Sequence, residues 1–338
     1  MELSIIIVNW NTRDYLRDCL GSIFENVKGI SFEVIVVDNN SSDGSAEMVK
    51  NEFPLTNLVA SDVNTYYAKG NNIGYKISKG NYIAFLNPDT IIYTDPFKTA
   101  VEYLRTHADV GAVSCKFLNP DGSFQRVYYR PFLKLSTVLF CLTSIGSLFD
   151  KNILKSKYEN IYSYKDKDFS KVEKIDQPGA TFIVIPKFIL SKVGVFDERF
   201  PLFFNDVDLC KRIWEAGYEI HVLNDIAITH YAGRGVQQMG ELAIDREFDV
   251  GCYRYFRKHH GIAQSVFVAV FFLPDLLFLY GHAIFAPILQ YFKGIFQYGL
   301  VIFREYFISV KEFGISRTNM RVVRFIIRNI KLRRRKVI

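Results

Sequence analysis

Two oxygen-bearing side chains stand two positions apart in Asn87-Pro88-Asp89, directly after the apolar run Tyr82-Ile83-Ala84-Phe85-Leu86. A carboxylate and an amide oxygen at that spacing can meet one hard cation, and oxygen donors suit Mg2+ or Mn2+. Such a cation usually accompanies a phosphate. Asn-Pro-Asp is equally a turn former after a strand, so the tripeptide alone leaves both readings open. A second acidic cluster, Asn205-Asp206-Val207-Asp208, leads into an apparent helix through Trp214 that stops near Gly217. A carboxylate there can take a proton, while Asp208 can instead cap or line the helix start, where the macrodipole favours negative charge. His230 follows Asp206 by 24 positions (230 minus 206) and precedes the glycine-containing loop Tyr231-Ala232-Gly233-Arg234-Gly235. A lone histidine is either an ordinary hydrogen-bonded residue or a ligand. Arg234 can match phosphate oxygens in a bidentate fork, or stand free on the surface.

These residues need elements to carry them. Residues 3–8 and 33–38 are short apolar runs rich in Ile and Val, and between them 13–24 places Leu16, Leu20 and Ile23 at helical spacing. Nearly continuous apolar strands linked by helices indicate a parallel sheet buried on both faces. Ligands collect at the carboxyl ends of such strands, where Asn9, Asp38 and the Asn87/Asp89 pair fall. Asp38 also reads as a turn residue, and Ser41 and Ser42 read as caps for a helix opening near Asp43.

The series Ile5-Ile6-Ile7-Val8-Asn9-Trp10-Asn11, Val36-Val37-Asp38-Asn39-Asn40-Ser41-Ser42-Asp43-Gly44, Gly70-Asn71-Asn72-Ile73-Gly74 and Leu86-Asn87-Pro88-Asp89-Thr90 resembles glycosyltransferase family 2, particularly its rhamnosyltransferase-like branch. The resemblance covers roughly residues 1 to 235, and four ordered motifs are far more specific than any one. It implies a GT-A fold, a Rossmann-like mixed α/β sheet, with a nucleotide-sugar donor and a divalent metal. Nucleotide-sugar contacts are then expected at Asn9, Asn11, Asp38, Asn39, Asn72, Asn87, Asp89 and Arg234, with Asp38 on the pyrimidine base. Asp89 and His230 match the family's metal-binding positions. Asp206 matches the second position of the family's acidic pair and is expected as the base of an inverting transfer, with Asn205 and Asp208 toward the acceptor. Two departures stand out: Tyr66, where related sequences commonly have glycine, and Asn205, where glutamate is usual. The branch implies dTDP-rhamnose as donor and a polyprenyl-diphosphate-linked saccharide as acceptor, with galactose, glucose or N-acetylglucosamine donors as alternatives.

Composition bounds the rest. An apolar fraction of 49% over 338 residues allows a large buried sheet plus an appendage. Five cysteines without a Cys-x-x-Cys pair indicate neither a zinc ribbon nor a disulfide framework, and a reducing cytosol suits them. Met1-Glu2-Leu3 enters the first strand without a signal-peptide pattern, so the expected site of action is the cytoplasmic face of the inner membrane. The expected division is a catalytic domain over 1–235, a helical connector over 236–261, hydrophobic membrane-associated helices over 262–310, and a basic tail over 311–338. Residues 266–292 are dominated by Phe, Leu, Ile and Val, but Pro274-Asp275 sits in their middle. A central Asp costs roughly 2.5 to 3.5 kcal/mol on insertion, so helices lying in the leaflet are favoured over a simple span. A buried hairpin or dimer interface is the alternative, and oligomeric state is left open. Residues 262–338 hold 12 Lys/Arg and 3 Asp/Glu, a net of +9, which leaves −2 of the total +7 for residues 1–261. Arg317, Arg321, Arg324, Arg328 and Lys331 recur at helical spacing, the pattern of a basic amphipathic helix at an anionic membrane. The neighbouring apolar segment argues against nucleic acid as the partner. Residues 150–174 read as a polar insertion on the acceptor side.

Overall fold

The computed structural model describes residues 1–142 and 160–271. The described residues divide into two compact units, one of Met1–Phe132 with Ile161–Met239, the other of 133–142, 160 and 240–271.

In the first unit, β1 (Leu3–Asn9), β2 (Phe32–Asp38), β3 (Asn57–Ala60) and β4 (Tyr82–Leu86) alternate with α1 (Arg13–Asn26), α2 (Ser45–Glu52) and α3 (Tyr66–Ile77). After β5 (Thr90–Ile91) come α4 (Pro96–Thr106), β6 (Val110–Leu118), β7 (Tyr129–Arg130), β8 (Glu173–Lys174), β9 (Gln177–Pro178) and β10 (Phe182–Pro186). α5 (Lys187–Val193), α6 (Asn205–Glu215) and β11 (Glu219–His230) complete the unit. The main sheet runs β3-β2-β1-β4-β10-β6-β11-β5, with β8 also on β11, and β7 pairs β9 separately. β1 is parallel to β2 and β4, as the apolar runs predict, and every β1 residue is buried. The sheet becomes mixed at β10, which lies antiparallel between β4 and β6.

Each helix follows from its sequence. α1 turns Leu16, Leu20 and Ile23 into the core, the predicted face. α3 lies so close to β1 that a Cβ on Gly74 would stand 2.5 Å from Ile6 Cγ2, and one on Gly70 2.8 Å from Val8 Cγ1. The two glycines of Gly70-Asn71-Asn72-Ile73-Gly74 thus serve helix–strand packing. The predicted serine caps are not formed. α2 begins after Gly44 in the left-handed conformation, Ser41 turns its hydroxyl onto Asp38, and Asp43 Oδ1 accepts from the Ser45 backbone N–H at 3.0 Å.

The described part of the second unit contains a short helical stretch over 135–142 and the helices α7 (Glu241–His259) and α8 (Gly261–Phe271). Val250, Cys252, Tyr255, Phe256 and Val268 are buried there. Among the described residues no helix is long and apolar enough to cross a membrane. The stretch 266–292 is described only as far as Phe271, and the basic tail over 311–338 lies outside the described residues, as does 150–159 of the polar insertion. Of the extension expected over 262–310, α8 covers the start and the rest lies outside the described residues.

Candidate active site

A cleft opens at the carboxyl ends of the parallel strands, as the topology requires. Five of the expected residues line it: Asn9, Asn39, Asn87, Asp89 and Arg234. Trp10, Tyr66 and Tyr67 line it as well, and sequence reasoning did not select them as site residues.

Asp89 and His230 are brought together by strand pairing. β5 runs antiparallel to β11 with Thr90 opposite His230, and the Tyr231 N–H donates to the Asp89 carbonyl at 2.9 Å. Both side chains are buried, and His230 Nε2 stands 3.5 Å from Asp89 Oδ1 with no hydrogen-bond partner. The other Asp89 oxygen, Oδ2, accepts from the Arg234 backbone N–H at 3.3 Å. Burial pushes the Asp89 carboxyl up, but the adjacent His230 ring and that N–H outweigh it and hold it below the ordinary carboxylate range. Burial, and then the Asp89 charge, pushes the neighbouring Tyr128 phenol up to about 12; its ring stands edge-on to His230 at 5.0 Å.

Among the described residues no three His, Cys, Asp or Glu side chains gather as a metal cage. Two buried donors facing one another fit a different arrangement, in which phosphate oxygens and water complete the shell of a hard cation. Asn87 is placed by the adjacent strand: its N–H donates to Thr181 O at 2.9 Å, while its own carbonyl accepts from Thr90 Oγ1 at 2.8 Å.

Asp206 lies in the first turn of α6. Its Oδ1 accepts from the Val207 N–H at 2.8 Å and its Oδ2 from the Ala180 N–H at 3.3 Å. Part of the side chain still reaches solvent, yet the carboxyl sits deep among protein atoms, and burial raises its pKa above the ordinary value. Tyr67 connects this group to the cleft. Its hydroxyl donates to Ala180 O at 2.7 Å, and its pKa is raised first by burial and then by the charges of Asp206 and of Asp89.

Several expected contacts are instead used within the protein. Asp38 is 3% exposed, its oxygens accept from Asn9 Nδ2, Ser41 Oγ and the Ser41 N–H, and it does not line the cleft. Asn9 completes that knot by accepting from Thr12 Oγ1 at 2.6 Å. Asn11 also stays off the lining, and its Oδ1 accepts from the Ser42 N–H. Asn72 latches α3 to the segment after α5, donating to Phe196 O and Glu198 while accepting from the Phe196 N–H. Asn205 is buried and its Nδ2 donates to Leu202 O at 2.8 Å. Asp208 is wholly buried and pairs with Arg212 at 2.9 Å, one helical turn on, with no free face for a substrate. In each case an inward-facing backbone position, invisible to motif spacing, decides the role.

Backbone strain gathers around the cleft. Six described non-glycine residues have left-handed φ angles, and Asn11, Asn40, Tyr66, Phe204 and Ala232 lie within two positions of a lining residue. Only Tyr164 does not. Such conformations persist where neighbours over-determine them. For Tyr66 (φ +61) the neighbours are Asn39, whose Nδ2 donates to Tyr66 O, and Asn64, whose Oδ1 accepts from the Tyr66 N–H. The position where the family resemblance leads to an expectation of glycine is therefore one that favours glycine.

Residues 4–199 match Glycosyl transferase family 2. The chain belongs to that family. As a family 2 glycosyltransferase it is similar to the rhamnosyltransferase WbbL of Escherichia coli strain K12, 25% identical over 235 residues that cover 68% of this chain and 83% of that one. It is also 27% identical over 133 residues to the poly(ribitol-phosphate) beta-N-acetylglucosaminyltransferase TarS of Staphylococcus aureus, covering 38% of this chain but only 23% of that protein's length. The solved mannosyltransferase PcManGT of Pyrobaculum calidifontis, in complex with GDP-Man and Mn2+, superposes with a TM-score of 0.53 at 14% identity, covering 96% of this chain and 85% of that one. At that identity the likeness shows the fold alone. The mixed α/β sheet expected of a GT-A glycosyltransferase is present.

Proposed function

We propose that this glycosyltransferase moves a sugar, rhamnose from dTDP-rhamnose in the first instance, onto a polyprenyl-diphosphate-linked saccharide in surface polysaccharide synthesis. The observation that carries the reading is the buried pair of Asp89, which lines the cleft, and His230 behind it, with Nε2 unpartnered and facing a carboxylate. Similarity to a rhamnosyltransferase over 68% of the chain supports the sugar.

Asn9, Trp10, Asn39 and Tyr66 shape the nucleoside end. Asp89 and His230 would hold a Mg2+ or Mn2+ ion, whose charge would offset that of the donor diphosphate. Arg234, exposed at the mouth with its guanidinium 5.3 Å from the Tyr15 ring centre, supplies a further cation for phosphate oxygens. Asp206 takes the proton of the acceptor hydroxyl as that oxygen attacks the anomeric carbon and the bond to the diphosphate breaks. A single displacement of this kind inverts the anomeric configuration. The raised pKa of Asp206 suits a base that must hold the proton it takes. Tyr67 orients the Ala180 peptide whose N–H steadies Asp206.

Purified full-length protein incubated with a panel of nucleotide-sugars and a lipid-linked acceptor, with and without Mn2+, tests this. Release of nucleoside diphosphate from one donor, abolished by EDTA, is expected. Release undiminished by EDTA overturns the metal-dependent reading, and transfer confined to a different sugar overturns rhamnose.

The apolar and basic carboxyl-terminal sequence supports attachment at the cytoplasmic face of the membrane. Anionic lipid attracts each nearby Lys or Arg by about 1 kcal/mol and is screened by salt, whereas apolar insertion is nearly indifferent to salt. High salt should then release little protein from membranes and detergent should release it. Recovery in the soluble fraction without detergent would sink the membrane reading.

A further inference from the structure

The unpartnered His230 Nε2 has a cause on the opposite side of the ring. His230 Nδ1 lies 2.9 Å from Gln125 Oε1, and Gln125 is 5% exposed. An amide can turn over, which would exchange oxygen and nitrogen, but here a backbone group settles its orientation. Gln125 Nε2 lies 2.7 Å from the carbonyl oxygen of His230, which can only accept. A second acceptor, Asn119 Oδ1, lies 2.7 Å from the same nitrogen. The nitrogen of Gln125 must face those two oxygens, so its own oxygen faces Nδ1. An oxygen there requires a proton on Nδ1. In the neutral imidazole, which carries one ring proton, Nε2 then bears a lone pair.

The consequence is an electrostatic conflict in the neutral ring, which a divalent cation or a second ring proton resolves. Two acceptors, the bare Nε2 and Asp89 Oδ1, point at one another across 3.5 Å in a buried site. Were the tautomer reversed, an Nε2 proton would satisfy the carboxylate and occupy the place of a metal.

We propose that Gln125 is a positioning residue that locks His230 as the Nδ1–H tautomer and so keeps Nε2 available to a divalent cation shared with Asp89. The inference rests on the metal reading given above. Outer partners that orient a ligating histidine commonly affect metal affinity 10- to 100-fold when removed. Gln125 is itself held by the loop over 119–125. Asn119 Nδ2 donates to Ser123 Oγ at 2.8 Å, and the Gln125 N–H donates to Phe117 O at 2.8 Å.

The test uses full-length protein labelled with 15N at its six histidines, in alkaline buffer without metal, with the His230 ring signals assigned by their loss in His230→Gln. Nitrogen shifts separate protonated from bare ring nitrogens directly. Wild type is expected to carry the His230 proton on Nδ1. Gln125→Met, which keeps the length and removes both polar atoms, is expected to give a mixture of tautomers and to weaken Mn2+ binding about 10- to 100-fold, read by electron paramagnetic resonance with nucleoside diphosphate present. Gln125→Glu keeps an acceptor for Nδ1–H and should retain more Mn2+ affinity than Gln125→Met, and it serves also if Gln125→Met fails to fold. A wild-type His230 protonated on Nε2, or Mn2+ affinity unchanged in both variants, overturns the lock. A wild type with the Nδ1 proton that binds no Mn2+ overturns the metal reading itself, so the two failures are distinct.

Discussion

Asn-Pro-Asp occurs twice, at 87–89 after β4 and at 119–121 after β6, and the two copies do opposite things. The second is a surface turn. Gly122 N–H closes it onto Asn119 O at 2.8 Å, and exposed Asp121 accepts from the Ser123 N–H at 2.9 Å. In the first copy the aspartate is buried and its Oδ1 faces His230. The residue after the tripeptide decides between them, since Thr90 is captured opposite His230 by β11 whereas Gly122 carries the chain back across the surface. The copies are also linked, because Asn119 of the plain turn holds Gln125, which holds His230. A similar division separates the carboxylates of α6: Asp206 keeps an open side, while Asp208, one half-turn on, is committed to Arg212.

These contrasts can be broken in a defined order. Asp89→Ala should reduce turnover below detection with the folded circular dichroism spectrum intact, and appreciable activity would erase the distinction between the two turns. Asp206→Asn should cost about 10²- to 10⁴-fold in kcat with donor binding retained. Its pKa adds a sign. Burial raises the folded value, so the acid limb of kcat/KM should lie above the ordinary carboxylate range. Between the unfolded and folded values the native state keeps a proton that the unfolded state has lost, so this group's contribution to stability falls as pH rises through that window. At neutral pH Asp206→Asn should therefore melt at the wild-type temperature or higher, and a lower melting temperature would count against the assignment.

Asp208→Asn should show the converse. Removing one partner of a buried ion pair costs about 3 kcal/mol, which lowers the Tm by roughly 5 to 10 °C, with activity per folded molecule largely kept. If Asp208→Asn instead loses more turnover than Asp206→Asn, the base has been placed on the wrong residue. The smallest effect belongs to Asp121→Ala, with the Tm within roughly 2 °C of wild type and kcat/KM within about two-fold. A larger loss in Mn2+ affinity there would mean that the outer turn reaches the site through Asn119.

The sequence carried the frame of this site further than its details. Continuous apolar runs identified β1, β2 and α1 to within about two residues, because a strand buried on both faces has few alternative patterns. The placement of Asp89 after a strand and of Asp206 at a helix start was legible for the same reason. Gln125 was not. Its position follows a Pro-Asp-Gly turn, and the partner it serves is 105 residues away, a distance that no local period reports. The internal hydrogen bonds of Asp38 and Asn72 were equally hidden, because motif position does not report which partners a side chain finds within the protein. Tyr66 was a departure with a readable cause, since a glycine-favouring position shows itself only when φ is known.

The insertion of β10 between β4 and β6 also has a bearing on synthesis. The parallel half β3-β2-β1-β4 is complete once about the first 90 residues have emerged, but the inner edge of β4 pairs only with a strand whose first residue comes 96 positions later (182 minus 86). At roughly 5 to 20 residues per second the ribosome leaves that edge open for on the order of 5 to 20 s. Its residues are Tyr82-Ile83-Ala84-Phe85-Leu86, an apolar strand with no charge to discourage a wrong neighbour. The nascent chain thus exposes an apolar strand edge during one definite interval, and overexpression should send half-made molecules into inclusion bodies by this edge.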